Sequence, residues 1–208
     1  MTNDNYTTLK GMTSSEIKVK GSRFIGYATT AGDKLGAESF IRKISKKHHD
    51  ATHNCFAYRI GIGDGAIFRY SDAGEPSGTA GRPILESIEG RELTDVVCVV
   101  TRYFGGTKLG TGGLARAYGE CAAKTLDRGD KIKKYITQPL RIVYEYDLTG
   151  VVMGLVSEYE CKIESTHYKT DTEMTLSVRL SLLERFRQAL IDATAGKVKI
   201  LGEEVKYP

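Results

Sequence analysis

Residues Thr94 to Arg128 read TDVVCVVTRYFGGTKLGTGGLARAYGECAAKTLDR. The unbroken apolar run Val96 to Val100 predicts a strand buried on both faces. It continues into Arg102-Tyr103-Phe104, breaks at Gly105-Gly106, crosses a loop holding Lys108 and opens a helix near Thr111 that runs to Arg128. Five of the nine residues from Gly105 to Gly113 are glycine, so the backbone there can take positive φ and approach a ligand or another chain closely. The first turn of the helix adds N–H groups with no intrahelical partner, and Arg102, Lys108 and Arg116 place positive charge around them. A strand, a glycine loop and a helix N-terminus among cations suit a phosphate group. The alternative reading is that the glycines serve a sharp turn and close packing of the helix.

Two known glycine motifs fit poorly. The P-loop requires Lys directly after the last Gly of Gly-x-x-x-x-Gly-Lys-Ser/Thr, whereas Lys108 stands between Gly106 and Gly110. Gly110-x-Gly112-x-x-Ala115 matches the loose dinucleotide pattern, but no second parallel strand ending in an acid follows the helix. No cofactor is expected.

Upstream, Glu16 to Lys20 and Phe24 to Thr29 read as strands joined at Gly21-Ser22, with Lys18, Lys20 and Arg23 near the bend. A helix from Asp33 to about His48 buries Leu35, Ala37, Phe40, Ile41 and Ile44 and wets Arg42, Lys43, Lys46 and Lys47. Strands His53 to Ile60 and Ala66 to Tyr70 follow, separated by a glycine-rich connection. His48, His49 and His53 lack the spacing and companion ligands of a metal site, so no metal is expected. The polar stretch SDAGEPSGTAGRP, Ser71 to Pro83, offers Asp72 or Glu75 as a general base and leads through Arg82 into a short helix, Pro83 to Glu89. Neither Ser77 nor Thr79 has a histidine partner in the sequence, so no nucleophile is defined. The candidate anion- and nucleic-acid-binding set is therefore Arg82, Arg102, Gly105, Gly106, Lys108, Gly110, Gly112, Gly113 and Arg116, with no catalytic residue.

Downstream of a polar linker, Gly129 to Gln138, the pattern gives strand Leu140 to Tyr146, helix Gly150 to Glu160, strands Lys162 to Tyr168 and Glu173 to Leu182, helix Glu184 to Ala195 and strand Lys197 to Val205. The order β-α-β-β-α-β is that of a ferredoxin-like domain. The chain thus reads as α+β with two domains, 1–130 and 138–208.

The 208 residues carry 30 Lys and Arg against 26 Asp and Glu. Residues 1 to 137 hold 21 against 15 and the remainder 9 against 11, so the first half is the candidate for nucleic acid. Cys55, Cys98, Cys121 and Cys161 show no paired spacing, which points to a reducing compartment. With no signal-peptide core and no membrane-length apolar run, the expected location is the cytoplasm and the expected partners exclude a membrane.

Lys20-Gly21-Ser22-Arg23-Phe24, His53-Asn54-Cys55, the Ser71 to Pro83 stretch and Arg102-Tyr103-Phe104-Gly105-Gly106-x-x-Leu109-Gly110 together resemble the YigZ/IMPACT family. The resemblance runs from about Gly21 to Thr125. It implies a first domain similar to domain 2 of ribosomal protein S5 and, as in bacterial members, a ferredoxin-like second domain. That order is similar to the last two domains of elongation factor G. It also implies a non-enzymatic, translation-associated role with RNA, the ribosome or a translation-regulatory protein as partner. Eukaryotic members begin with a further domain that binds a translational activator; this sequence starts without one, so that partner is not expected. The S5-like fold is shared with small-molecule kinases, which keeps open an enzyme acting on a phosphorylated small molecule.

Overall fold

The computed structural model describes residues 4–201 and divides into two compact units, Tyr6–Lys134 and the residues from Tyr135 onward together with Asp4 and Asn5.

The first unit is built on a five-stranded antiparallel sheet in the order β2-β3-β6-β4-β5, comprising β2 (Thr13–Val19), β3 (Ser22–Thr30), β4 (His53–Ile60), β5 (Ile67–Ser71) and β6 (Val96–Tyr103). Strand β6 is central and buried along its length, as its unbroken apolar run predicts. Val96, Cys98 and Val100 join one core with α2 (Gly81–Glu89) and α3 (Gly110–Arg128). Val97 and Val99 face α1 (Lys34–Lys47) through Ala37 and Ile44. The period of two thus sorts one strand's side chains between two helical layers. Each fully buried Val or Leu contributes about 1.5–3 kcal/mol through removal from water. Helix α3 approaches the sheet closely where Gly26 of β3 faces Thr125: a Cβ at Gly26 would lie 2.0 Å from the Thr125 hydroxyl.

Element directions fix one end of this unit. The C-terminal end of β6, the start of β3 and the start of β4 coincide, since Arg102 pairs with both Phe24 and His53. Helix α1 finishes at this end, whereas α2 and α3 begin there.

The second unit is an antiparallel sheet, β11-β8-β10-β9, covered on one face by two helices. Its elements are β8 (Thr137–Tyr144), α4 (Thr149–Glu158), β9 (Lys162–Tyr168), β10 (Thr172–Arg179), α5 (Leu183–Ala193) and β11 (Lys199–Leu201). Alternate residues Leu140, Ile142 and Tyr144 of β8 and Met174, Leu176 and Val178 of β10 meet Val152, Val156, Phe186 and Leu190 of the helices. This is the ferredoxin-like order. Strand β10 ends at Arg179, earlier than expected, because Leu180–Leu182 turn into a 3-10 segment leading to α5. The expected last strand is described as far as Leu201; residues 202–205 of it lie outside the described residues.

The expected linker is mostly strand. Lys131–Tyr135 form β7, which pairs with β1 (Asn5–Leu9) in a two-stranded sheet, and β8 starts directly afterwards at Thr137. Lys-Ile-Lys-Lys-Tyr alternates half-buried and exposed positions, a weak apolar signal that reads as a polar run. Its partner strand lies over a hundred residues away, so no local turn announces the pairing.

A polar network closes α1 against β3 and β6. His48, buried at the end of α1, lies 3.0 Å by Nδ1 from the Tyr103 hydroxyl and 2.9 Å by Nε2 from that of Tyr27. Tyr103 donates to Asp50 at 2.9 Å, so it accepts from His48 Nδ1–H; Lys47 donates to Tyr27 at 3.3 Å, so Tyr27 donates to Nε2. Every group gives and receives once only if the imidazole is neutral. Burial lowers the His48 pKa from its ordinary value; Lys47 and Arg23 lower it further, against the opposing field of Asp50. With the folded pKa below the unfolded one, the unfolded chain binds more protons as pH falls through about 6.5 and below. Stability is therefore fully present above that pH and is lost on acidification. Urea midpoints at pH about 7.5 and about 5.5 should differ in the wild type, and His48→Gln should remove part of the difference. A pH dependence identical in both proteins would contradict this assignment.

Candidate functional site

Four of the quoted motif segments converge at the shared end of β3, β4 and β6. Arg102 and Glu75 form a buried ion pair there, with 2.6 Å between Nη1 and Oε1 and side chains only 6% and 4% accessible. Tyr118 of α3 donates to the same Glu75 oxygen at 2.8 Å. Arg102 Nη2 reaches the Ser22 hydroxyl at 3.4 Å, which also accepts from the Gly105 amide at 3.1 Å. One chain of contacts therefore joins α3, the polar loop 72–81, the end of β6, the β2–β3 turn and the start of the glycine loop. Each member is hydrogen-bonded beyond the pair itself, Glu75 by Tyr118 and Arg102 to Ser22, while the buried Arg102 Nε finds no partner among the described residues.

The polar loop is a structural element. Asp72 accepts from the amides of Gly78, Ala80 and Gly81, each at 2.9 Å, and so supplies the N-terminal cap that no residue of α2 provides. Burial alone would raise the Asp72 pKa, but the three N–H donors outweigh it and hold the carboxyl below its ordinary value. Cys55 is buried and donates to the Asp72 carbonyl, and burial pushes its thiol up to about 12. Asp72 and Glu75, the acids considered as bases from the sequence, are thus both engaged in holding the fold. The three neighbouring histidines diverge: His48 is enclosed by Tyr27 and Tyr103, His49 is exposed, and His53 donates from Nδ1 to the Ala73 carbonyl.

The predicted site residues fall into two groups. Arg102 is internal, which corrects its expected role as a surface cation: the strand end that carries it is covered by the 72–81 loop. Gly105 likewise serves packing. A Cβ there would lie 1.9 Å from the Gly21 carbonyl carbon and 2.2 Å from the Ser22 nitrogen, so only glycine lets the two backbones cross. Arg82 is exposed and shares its charge with Glu86 at 2.9 Å.

The remaining positions stay at the surface. Gly106 and Gly110 take φ of +85° and +70°, and neither faces any atom that a side chain would meet. A Cβ at Gly112 would lie 3.7 Å from Arg116 Nη1, and one at Gly113 3.1 Å from the Leu109 Cβ. The 19-residue helix α3 begins with no side-chain cap and no acid in its first turn. Lys108 and Arg116 are exposed and, among the described residues, neither has a carboxylate within ion-pair distance. Sequence reasoning missed Ser22 and Tyr118 as partners of this centre. Charge at the end of the apolar run VVCVVTRY was the one available signal that Arg102 must find a buried partner.

The Impact N-terminal domain model matches residues 20–126, which include every segment meeting at the ion pair. The chain belongs to the IMPACT family. A second model, a domain of unknown function (DUF1949), matches residues 142–197 in the ferredoxin-like unit. The IMPACT family member YvyE of Bacillus subtilis is 37% identical, covering 98% of this chain and 93% of that one. The IMPACT family member YigZ of Escherichia coli is 31% identical over 90% and 92% of the two chains. A crystal structure titled as that of a hypothetical protein aligns with TM-score 0.74 at 27% identity, covering 98% of this chain and 99% of the other. For an IMPACT family member the two-domain α+β architecture is thus shared along the full length. Among the described residues, no helix is long and apolar enough to cross a membrane.

Proposed function

We propose that this protein is a non-enzymatic, translation-associated factor of the cytoplasm that binds RNA, ribosomal RNA included, through phosphate contacts at the start of α3. The observation that carries this reading is the uncapped, acid-free first turn of α3, opening beside Gly106, Gly110, Lys108 and Arg116. Free amides at a helix N-terminus favour negative charge, and the glycines let a phosphate approach the backbone. The family resemblance supplies the translational setting. The engagement of Asp72, Glu75 and Cys55 in structural contacts supports a binding role over the alternative of an enzyme acting on a phosphorylated small molecule.

Contacts of this kind position a phosphate backbone and read no bases. Binding of a labelled oligouridine roughly 16 nucleotides long, near the upper site size of one single-strand-binding fold, tests the site. A Lys108→Ala, Arg116→Ala double variant should shallow the log Kd against log salt plot by about 1.4 units, at about 0.7 per lost single-strand contact. An unchanged slope with unchanged affinity would remove the site from consideration.

A further inference from the structure

The topology gathers more cations at this end of the first unit than the glycine loop alone carries. The β2–β3 turn lies against Gly105: the ideal Cβ of Gly21 falls 2.7 Å from the Gly105 carbonyl oxygen. This turn is flanked by Lys18, Lys20 and Arg23, all exposed. Lys20 itself has φ of +45°, a conformation in which few non-glycine residues are found. On the opposite layer α1 ends in Lys46 and Lys47 at the same end of the sheet. Among the described residues no carboxylate lies within ion-pair distance of Lys18, Lys20, Arg23 or Lys47.

The acids of this end are occupied. Asp72 accepts three amides, Glu75 accepts Arg102 and Tyr118, and Asp50 accepts Tyr103. Glu75 is buried and Asp72 half-buried, whereas Asp50 is exposed, as are the cations Lys18, Lys20 and Arg23. On the sheet of the second unit Arg141 is paired with Glu173, and Lys162 with Glu164. Phe104, 48% accessible, immediately precedes the glycine loop.

We infer that the β2–β3 turn is a second phosphate-contacting segment, so that Lys18, Lys20 and Arg23 continue the track of Lys108 and Arg116 and the ligand is a polyanionic RNA strand. This rests on the RNA reading of the α3 site. Charge complementarity selects the ligand: cations on separate elements, strung over an end whose carboxylates are internally engaged, match a repeating phosphate backbone better than a single phosphorylated metabolite. Arg23 is held in place by stacking 4.7 Å over the Tyr103 ring centroid.

The test uses the full chain and the same oligouridine. The triple variant Lys18→Gln, Lys20→Asn, Arg23→Gln retains polar surface, and Asn tolerates the positive φ at position 20. Its salt slope should be shallower than wild type by about two units, at about 0.7 per lost contact, with the thermal midpoint retained. Inorganic phosphate should compete with RNA only weakly, since one phosphate cannot span the track. A triple-variant slope equal to wild type, with the Lys108→Ala, Arg116→Ala slope still reduced, overturns the second segment and leaves the α3 site standing. Loss of RNA binding in the wild type at low salt overturns both.

Discussion

Replacing Glu75 by Ala should lower the stability of the first unit by about 3–5 kcal/mol, the range for stranding one member of a buried ion pair. The Arg102 guanidinium would lose its 2.6 Å partner in a setting where only 6% of its side chain meets solvent, and the Tyr118 hydroxyl would lose its acceptor at the same time. Urea denaturation followed by far-UV circular dichroism measures the change. The apolar double replacement Glu75→Leu, Arg102→Met should recover much of the loss, since removing both charges also removes their desolvation cost. A loss below about 1 kcal/mol for Glu75→Ala, as for a surface pair, would contradict the burial assigned to this centre.

The second large effect is expected at Gly105. An added methyl would meet Gly21 and Ser22 backbone atoms within 2.2 Å, and backbone cannot swing aside as a side-chain tip can. Gly105→Ala should therefore cost at least as much as overpacking a core, about 1–3 kcal/mol, and should displace the glycine loop. Gly112→Ala provides the contrast. Its Cβ would touch only Arg116 at 3.7 Å, so the helix should gain up to about 1 kcal/mol from the better helix former while RNA affinity falls. Equal stability effects at the two positions would show that the glycines do not divide between packing and surface roles as described.

The strand that organises the first unit was readable because Val96 to Val100 is apolar without interruption, and the second unit because its periods of two and 3.6 alternate in order. Sequence alone could not separate Gly105 from Gly106 or Gly112. All stand within eight residues of one another, and only the crossing of a distant turn makes the first a packing glycine. Nor could it show that Arg102 is internal, since Glu75 lies 27 residues away and the loop that covers both has no apolar signal. The pairing of β1 with β7 escaped notice for the related reason that both strands are short and largely wet.

The α3 site is built so that its cations are outward and its acids engaged, and that asymmetry should produce salt-sensitive association with RNA. Sedimentation of purified ribosomes with the wild-type protein measures it most directly. The protein should pellet with ribosomes at about 50 mM salt and be released progressively by about 200 mM, as expected when phosphate contacts dominate. Association that is unaffected across this range, or no association at the lower salt, would contradict the account.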